Sequence, residues 1–258
     1  MPREDVQFTL DRKVEALRRK DKGSEDRKVI DEVFDKSTLM AIYKLMKDGT
    51  IDTVEFSIST GKEANVFLST TSDGGLLALK IFRISTATFK RMSRYIDGDP
   101  RFKSVMGSRR KIIFAWTNKE FRNLQRLRTA GVRVPESIRF HRNILVMEYI
   151  GDEETPSPQM KNVVLADPMK TYETLVEFVR LAYQKAKLVH GDLSEYNVLI
   201  HDGEPVLIDC GQAMVTEHPN ATDFLRRDIE NLNRYFRHLG IEVMGTESMM
   251  KMVMGGLR

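Results

Sequence analysis

The chain has 258 residues, 41% of them hydrophobic and 30% charged, and it carries a formal net charge of +4. This composition is typical of a globular protein with room for one large or two modest lobes. A single cysteine, Cys210, excludes an intramolecular disulfide and a Cys/His metal cage, and no apolar run approaches the ~18 residues of a membrane span. We therefore expect a cytoplasmic protein, and the mild positive charge permits an acidic partner such as RNA.

The first part of the chain predicts a helical extension followed by a sheet. Residues 4–48 are rich in charged side chains, and their last helical stripe of apolar residues ends at Gly49. After it, apolar and polar side chains alternate at 54–59 and 65–69, and an apolar run at 76–82 follows a turn signal. This pattern predicts three antiparallel strands over 54–59, 65–69 and 76–82.

Residues 83–113 interrupt this alternation with a strongly basic segment. Gly98 and Pro100 break any helix there, and three aromatic residues lie among the basic ones. Long loops inside compact domains usually have a function or are disordered. We therefore predict a partly mobile insertion that docks on an acidic partner. Its nine basic residues are Arg83, Lys90, Arg91, Arg94, Arg101, Lys103, Arg109, Arg110 and Lys111.

The next elements are a helix and two strands. Thr117 or Asn118 is placed to cap the helix, which ends near Gly131. The alternating residues at 138–140 and the mostly apolar run at 144–150 predict the two strands. They complete a sheet of five strands.

The last part of the chain predicts two helices with a hairpin between them. Asp167 and Pro168 open the first helix, since proline is favoured at the first helical position. Thr222 or Asp223 starts the other helix, which ends at Gly240.

This order of elements predicts an α+β class with a bilobal, protein-kinase-like fold. Residues 1–50 would form an N-terminal helical extension. Residues 51–150 would form an N-lobe with an antiparallel five-stranded sheet, one helix and the insertion at 83–113. Residues 151–258 would form a reduced, mostly helical C-lobe.

The most informative segment is the hairpin, with the letters H-G-D-L-S-E-Y-N-V-L-I, a D-G turn and V-L-I-D-C-G-Q. It places Asp192, Asn197 and Asp209 close together, as phosphoryl transfer requires. Asp192 would orient the attacking hydroxyl or accept its proton, and Asn197 and Asp209 would bind magnesium, because hard oxygen donors suit this ion. Glu195 completes the predicted nucleotide site. The glycine before Asp192 predicts that no activation-loop switch of the arginine-dependent kind operates.

Phosphate-binding residues are predicted on the strands that precede the hairpin. Lys80, in the letters L-A-L-K, is the third predicted catalytic residue, since an inward lysine on a rigid strand grips phosphates. Glu120 is its expected partner, because a buried lysine is costly unless it is paired. The loop S-T-G-K-E-A-N-V begins at Ser59, and its backbone amides and the Lys62 ammonium would reach the triphosphate.

Adenine contacts are predicted where a strand ends in the letters M-E-Y-I-G. Backbone groups of Glu148 and Ile150 would meet the adenine edge. Met147 would line the pocket, and Val66 and Ala78 would cover it.

These segments closely resemble the RIO family of atypical protein kinases over residues 37–240. The resemblance rests on S-T-G-K-E-A-N-V-F, L-A-L-K, the basic insertion, K-E-F-R-N-L, V-M-E-Y-I-G, H-G-D-L-S-E-Y-N and L-I-D-C-G-Q. No winged-helix domain precedes the first lobe, which resembles the RIO-one type, and the compact chain resembles an archaeal member. Cys210 and Gly211 depart from the family pattern, whereas Asp209 and Gln212 match it.

The resemblance implies a serine kinase that binds ATP and Mg²⁺, with Mn²⁺ as an alternative ion. It also implies autophosphorylation, transient phosphorylation of Asp209 during ATP hydrolysis, and a role in maturing the small ribosomal subunit through its rRNA and proteins. Ser104 and Ser108, the latter beside Arg109 and Arg110, are the candidate autophosphorylation sites. We expect a monomer.

Two other functions share some of these features. Small-molecule phosphotransferases of the aminoglycoside or choline kinase kind also use an H-G-D-L and I-D pair, but they need a larger C-terminal region to hold their substrate. An inactive RNA-binding scaffold is disfavoured, because Lys80, Asp192, Asn197 and Asp209 are all present.

Overall fold

The computed structural model describes residues 34–84, 92, 108–152 and 155–255. The described residues fall into two compact units. The first contains those within 1–91, 105–118 and 138–149, and the second contains those within 92–104, 119–137 and 150–258. The domain boundaries predicted from the sequence stay a prediction.

A five-stranded antiparallel sheet forms most of the first unit. Its strands are adjacent in the order β1-β2-β3-β5-β4, so that β3 lies at the centre. The predicted sheet is confirmed, and the observed ends of β3 match the predicted ones. The strands are β1 (Thr53–Thr60), β2 (Ala64–Thr70), β3 (Leu76–Phe82), β4 (Ser137–His141) and β5 (Ile144–Glu148).

Helix α1 (Lys36–Lys47) packs on this sheet. Its N-terminus is capped by Asp35, whose Oδ1 accepts a hydrogen bond from the Thr38 N–H at 2.7 Å. Gly49 follows the helix with a φ of +73°, a conformation that glycine adopts at little cost. The helix and the sheet share one apolar core, which includes Ala41, Ile42, Leu45, Ile51, Phe67, Leu79, Ile81 and Val146.

Helix α2 (Arg109–Thr129) begins earlier than the sequence analysis predicts. Thr117 does not cap it but lies inside it, where its Oγ1 donates to the carbonyl of Ile113 at 2.9 Å. Ile112, Ile113 and Trp116 are buried at helical spacing, so the first turns of the helix are stabilised by packing. The predicted insertion is therefore wrong for residues 109–113, and residues 85–91 and 93–107 lie outside the described part.

The second unit is mostly helical, as predicted. Asp167 caps α3 and Pro168 is its first residue, also as predicted. Its helices are α3 (Pro168–Gln184), α4 (Ala221–His238) and α5 (Thr246–Val253), with a short 3₁₀ helix at Met160–Asn162.

Two small sheets complete the second unit. Strands β6 (Leu188–Val189) and β9 (Met214–Val215) pair with each other, and β7 (Val198–His201) pairs with β8 (Glu204–Leu207). Strands β6 and β9 and helix α5 were not predicted from the sequence. Among the described residues, no helix combines the length and the apolar character that spanning a membrane would need.

Candidate active site

The hairpin of β7 and β8 brings two of the predicted site residues to its open end. Asn197 directly precedes β7, and Asp209 follows β8 by two residues. The Ile208 N–H donates to the carbonyl of Asn197 at 3.0 Å, so the two segments stay paired beyond the strands. At the other end, Asp202 and Gly203 both have positive φ, as a two-residue hairpin turn of this kind requires. The predicted hairpin is therefore confirmed.

Asp192 is held beside Asn197. The Asn197 Nδ2 donates to the backbone carbonyl of Asp192 at 2.8 Å and to its Oδ2 at 3.3 Å. Burial raises the pKa of Asp192; His190 opposes this rise, and the nearby carboxylate of Asp209 adds to it. The effect of Asp209 places two acidic groups close enough to repel each other, which suits a site for a divalent cation.

Asp209 occupies a strained backbone position, with a φ of +59°. A residue with a side chain adopts this left-handed conformation at a cost of about 1–2 kcal/mol, although aspartate does so more readily than most. Such strain persists only where the surrounding structure holds the residue, and it often occurs at functional sites. Among the described residues, no group of three His, Cys, Asp or Glu side chains could hold a metal ion.

The loop that carries Asp192 is anchored by helix α4. Asp228 is 1% exposed, and its two carboxylate oxygens accept hydrogen bonds from the N–H groups of Gly191 at 2.7 Å and Leu193 at 2.9 Å. Arg227 donates to the carbonyl of Gly191, and Asn231 donates to that of Leu193 at 3.2 Å. Burial raises the pKa of Asp228. The helix thus binds both the N–H groups and the carbonyl groups of the loop backbone.

The sequence analysis missed Asp228. The available signal was its position within the apolar stripe of α4, between Leu225 and Ile229, where a carboxylate is unusual. A buried acid on such a stripe needs hydrogen-bond donors from elsewhere in the fold.

Gly191 cannot be replaced freely. Its φ is +80°, and a Cβ atom there would lie 3.3 Å from the Met214 Cε and 3.5 Å from the Gln212 carbonyl oxygen. The glycine that the sequence analysis noted before Asp192 is therefore required by space as well as by conformation.

In the first unit, the predicted phosphate loop is a tight turn between β1 and β2. The Gly61 N–H donates to the Ala64 carbonyl at 3.0 Å and to the Oδ1 of the buried Asn65 at 3.3 Å. A Cβ atom on Gly61 would lie 2.9 Å from the Ala64 carbonyl oxygen. Ser59 and Lys62 are exposed beside this turn.

Lys80 lies on the central strand β3 and is 7% exposed, which excludes an exposed lysine on an edge strand. Its pairing neighbours are Val66 on β2 and Leu145 on β5. Its Nζ lies 5.1 Å from the centre of the Phe82 ring. The residue thus occupies a fixed position in the sheet, and a buried lysine of this kind is rare outside functional sites.

Three of the residues predicted around adenine meet in the first unit. Val66, Ala78 and Met147 belong to one small apolar cluster, and Ala78 pairs with Met147 across the sheet. Glu148 is the last residue of β5 and pairs with Leu77.

Glu120 is 1% exposed in α2, and its pairing with Lys80 stays a prediction. The backbone carbonyl of Ile150 accepts from Ser157 at 3.0 Å, that of Glu195 accepts from Lys161 at 3.3 Å, and the Ser108 Oγ accepts from the Lys111 N–H at 3.5 Å. Ser104 lies outside the described residues.

Comparison with known proteins identifies a family. The family model of the RIO domain matches residues 65–249, which is more than half of the chain. The chain is 45% identical over 245 residues to the RIO-type serine/threonine-protein kinase Rio1 of Haloferax volcanii, covering 95% of this chain and 84% of that protein. It is 38% identical over 246 residues to the serine/threonine-protein kinase RIO1 of Homo sapiens, covering 94% of this chain and 43% of that protein.

A solved structure shows the same fold. The chain resembles the Rio2 kinase of Chaetomium thermophilum, described as an ADP/Mg²⁺-phosphoaspartate complex, with a TM-score of 0.64 and 24% identity. The likeness covers 84% of this chain and 66% of that one, and it shows the kinase-like fold. The chain therefore belongs to the RIO family, within its RIO1 subfamily of serine/threonine-protein kinases.

Proposed function

We propose that the chain is an ATP- and magnesium-dependent serine protein kinase, with an ATPase activity, that acts in the maturation of the small ribosomal subunit. The observation that carries the catalytic part is the arrangement at the hairpin. Asn197 donates hydrogen bonds to Asp192, and Asp209 is close enough to raise the pKa of Asp192.

Asn197 and Asp209 would bind the magnesium ion. The Asn197 Nδ2 is engaged with Asp192, which leaves the amide oxygen of Asn197 for a cation. An amide oxygen and a carboxylate are hard donors of the kind that Mg²⁺ prefers, and they leave most of its coordination sphere to phosphate and water. When bound, the ion would neutralise charge on the phosphates.

ATP binding is supported by the first unit. Lys80 is buried at the centre of the sheet, and the turn at Gly61 presents exposed backbone next to Lys62. The carbonyl of Ile150 already accepts a hydrogen bond from the Ser157 N–H. We therefore assign the N–H of Ile150 to adenine. The apolar cluster of Val66, Ala78 and Met147 would cover the base.

Asp192 would accept the proton of the attacking hydroxyl. Burial raises its pKa, which brings it nearer to the working pH and makes it a stronger base than an ordinary aspartate. Its bond to Asn197 fixes the orientation of the carboxylate.

The ATPase activity would proceed through Asp209. Its carboxylate would attack the γ-phosphorus of ATP, the bond to ADP would break, and water would then hydrolyse the acyl phosphate to release inorganic phosphate. The ribosomal role rests on the family resemblance and on the basic segment at 83–113, which would contact rRNA through phosphate groups. We place this activity in the cytoplasm.

The catalytic proposal is tested with labelled ATP and four variants. Both Asp209→Ala and Asp192→Ala should abolish turnover. Asp209→Ala should also weaken ATP binding, because it removes a proposed magnesium ligand. Asp192→Ala should retain ATP binding, because Asp192 would contact the acceptor hydroxyl. Lys80→Met should lower the turnover rate by about 100-fold, and Glu120→Gln should lower it less. Single-turnover reactions then show whether the label ends on serine, on aspartate or in free phosphate. Loss of ATP binding in Asp192→Ala, equal to that in Asp209→Ala, would show the assigned roles to be wrong.

The ribosomal proposal is tested by deleting residues 93–107, which leaves the buried Met92 and helix α2 intact. The deletion should lower affinity for small-subunit precursors and retain ATP binding. Binding of the full chain to single-stranded rRNA should fall with salt at a log–log slope of about −0.7 per neutralised phosphate. Unchanged association with the precursors after the deletion would reject the docking role.

A further inference from the structure

Two buried side chains of α2 bind the loop that follows Asp209. The Nδ2 of Asn123 donates to the carbonyls of Cys210 at 2.9 Å and Ala213 at 3.0 Å. The Nζ of Lys119 donates to the carbonyl of Gly211 at 2.8 Å. Lys119 and Asn123 lie four residues apart, on one face of the helix.

These bonds are deeply buried. Asn123 is 0% exposed, Lys119 is 2% exposed and Cys210 is 0% exposed. A lysine at this depth is rare, and burying its charge is costly without compensating hydrogen bonds. A hydrophobic residue could fill the same space at lower cost, so packing alone does not account for these two polar residues.

The loop they bind needs support from outside. Asp209 has a strained φ of +59°, and within the loop the Ala213 N–H donates to the Cys210 carbonyl at 3.2 Å. The three hydrogen bonds from α2 fix the carbonyls of the residues that directly follow the strained position. They therefore determine where the Asp209 carboxylate is held.

We infer that Lys119 and Asn123 are positioning residues for Asp209 that set the affinity for Mg²⁺ in the nucleotide complex. The inference rests on the proposed function, in which Asp209 binds the ion. Removing the hydrogen bonds lets the loop relax, and the carboxylate then leaves its position. The groups assigned to adenine are unaffected, so binding of ATP without metal is retained while its enhancement by Mg²⁺ weakens.

The test compares Asn123→Leu with Gln125→Leu in the full chain. Gln125 carries an exposed amide on the same helix, so each variant replaces a side-chain amide by leucine. Calorimetric titration with ATP at a series of Mg²⁺ concentrations gives the Mg²⁺ midpoint, and thermal unfolding reports the folded fraction. We expect Asn123→Leu to raise the midpoint by about 10-fold or more, as is typical when a residue supporting a metal ligand is removed. Gln125→Leu should keep the wild-type midpoint.

Lys119 supplies a second pair of variants. Lys119→Met removes the donor and keeps the length of the side chain, whereas Lys119→Arg keeps a donor. Lys119→Met should raise the Mg²⁺ midpoint, and Lys119→Arg should restore it in part. If Asn123→Leu does not fold, Lys119→Met decides the question.

Wild-type midpoints in folded Asn123→Leu and Lys119→Met would overturn the inference and leave the proposed function standing. Wild-type protein that binds ATP equally with and without Mg²⁺ would instead overturn the proposed function, and the inference with it.

Discussion

The two units hold the side chains of the proposed site in different ways. In the first unit, Lys80 and Ala78 take their positions from the register of β3 with its neighbouring strands. In the second unit, Asp192 and Asp209 lie on loops that are held by hydrogen bonds from α4 and α2. Backbone pairing places the first set, and buried polar side chains place the second.

This difference predicts different responses to mutation. A strand register depends on many pairs at once, so the loss of one side chain changes it little. A loop held by three or four side-chain hydrogen bonds depends on each of them, because every loss leaves a buried group unsatisfied. Substitutions of the residues that support the loops should therefore reduce stability and turnover together.

Asp228→Ala should have the largest effect on stability. It leaves the N–H groups of Gly191 and Leu193 without their acceptor, at about 1–3 kcal/mol each. We expect the free energy of unfolding, measured with urea, to fall by about 3 kcal/mol and turnover to be lost. Asp223→Ala, which removes an exposed acid from the first turn of the same helix, is the control. A loss no larger than that of the control would contradict the anchoring role of α4.

Gly191→Ala should have the next largest effect, and Gly203→Ala is its matched control. Both glycines have a φ near +80°, but a Cβ on Gly203 would meet nothing within 4 Å, whereas one on Gly191 would crowd Met214. Gly203→Ala should cost about 1 kcal/mol of unfolding free energy from conformation alone. Gly191→Ala should cost more, and only this variant should lower turnover. Equal losses in the two variants would show that space around Gly191 is unimportant.

Gly61→Ala tests the first unit. A Cβ on Gly61 would lie 2.9 Å from the carbonyl oxygen of Ala64, a backbone atom that can move away only if the turn shifts, so we expect a loss of about 1–2 kcal/mol. Affinity for ATP, measured by calorimetry, should fall several-fold, because in the proposed function this turn binds the phosphates. An unchanged affinity would remove this turn from the nucleotide site.

Asp192→Asn should have the smallest effect on stability, and it should be a gain. Because burial raises the pKa of Asp192 in the folded state, the neutral form is favoured there, and its contribution to stability is lost as the pH rises through the folded pKa. Asparagine stays neutral. The variant should therefore be more stable than wild type at neutral pH, and the gain should vanish below about pH 4, where Asp192 is protonated in both states. Urea unfolding at pH 7 and in the acid range measures the difference in free energy of unfolding between the variant and wild type. A gain that persists in acid would show that the raised pKa of Asp192 is not its cause.

The sequence predicted the elements whose signals are local. The ends of β3 and the start of α3 at Pro168 were correct, because a turn signal followed by an apolar run, like the placement of a proline, acts over a few residues. The start of α2 was wrong because basic residues at 109–111 concealed the apolar positions of its first turns.

The supporting residues could not be predicted in the same way. Asp228 and the N–H groups it binds are 35 and 37 positions apart in the chain, and Asn123 is 87 positions from Cys210. A single sequence carries no sign of such a contact until the fold brings the partners together. Strands β6 and β9 escaped prediction for a related reason, since two residues each are too few to show a period.

The burial of Cys210 has a practical consequence for solution studies. It is the only thiol in the chain, and it is 0% exposed. A maleimide dye or spin label should react slowly with it in the native protein, because a buried thiol is inert. A cysteine introduced at an exposed position, such as that of Tyr196 next to Asn197, would then be the single attachment point for a fluorescent or paramagnetic probe, with no background substitution needed.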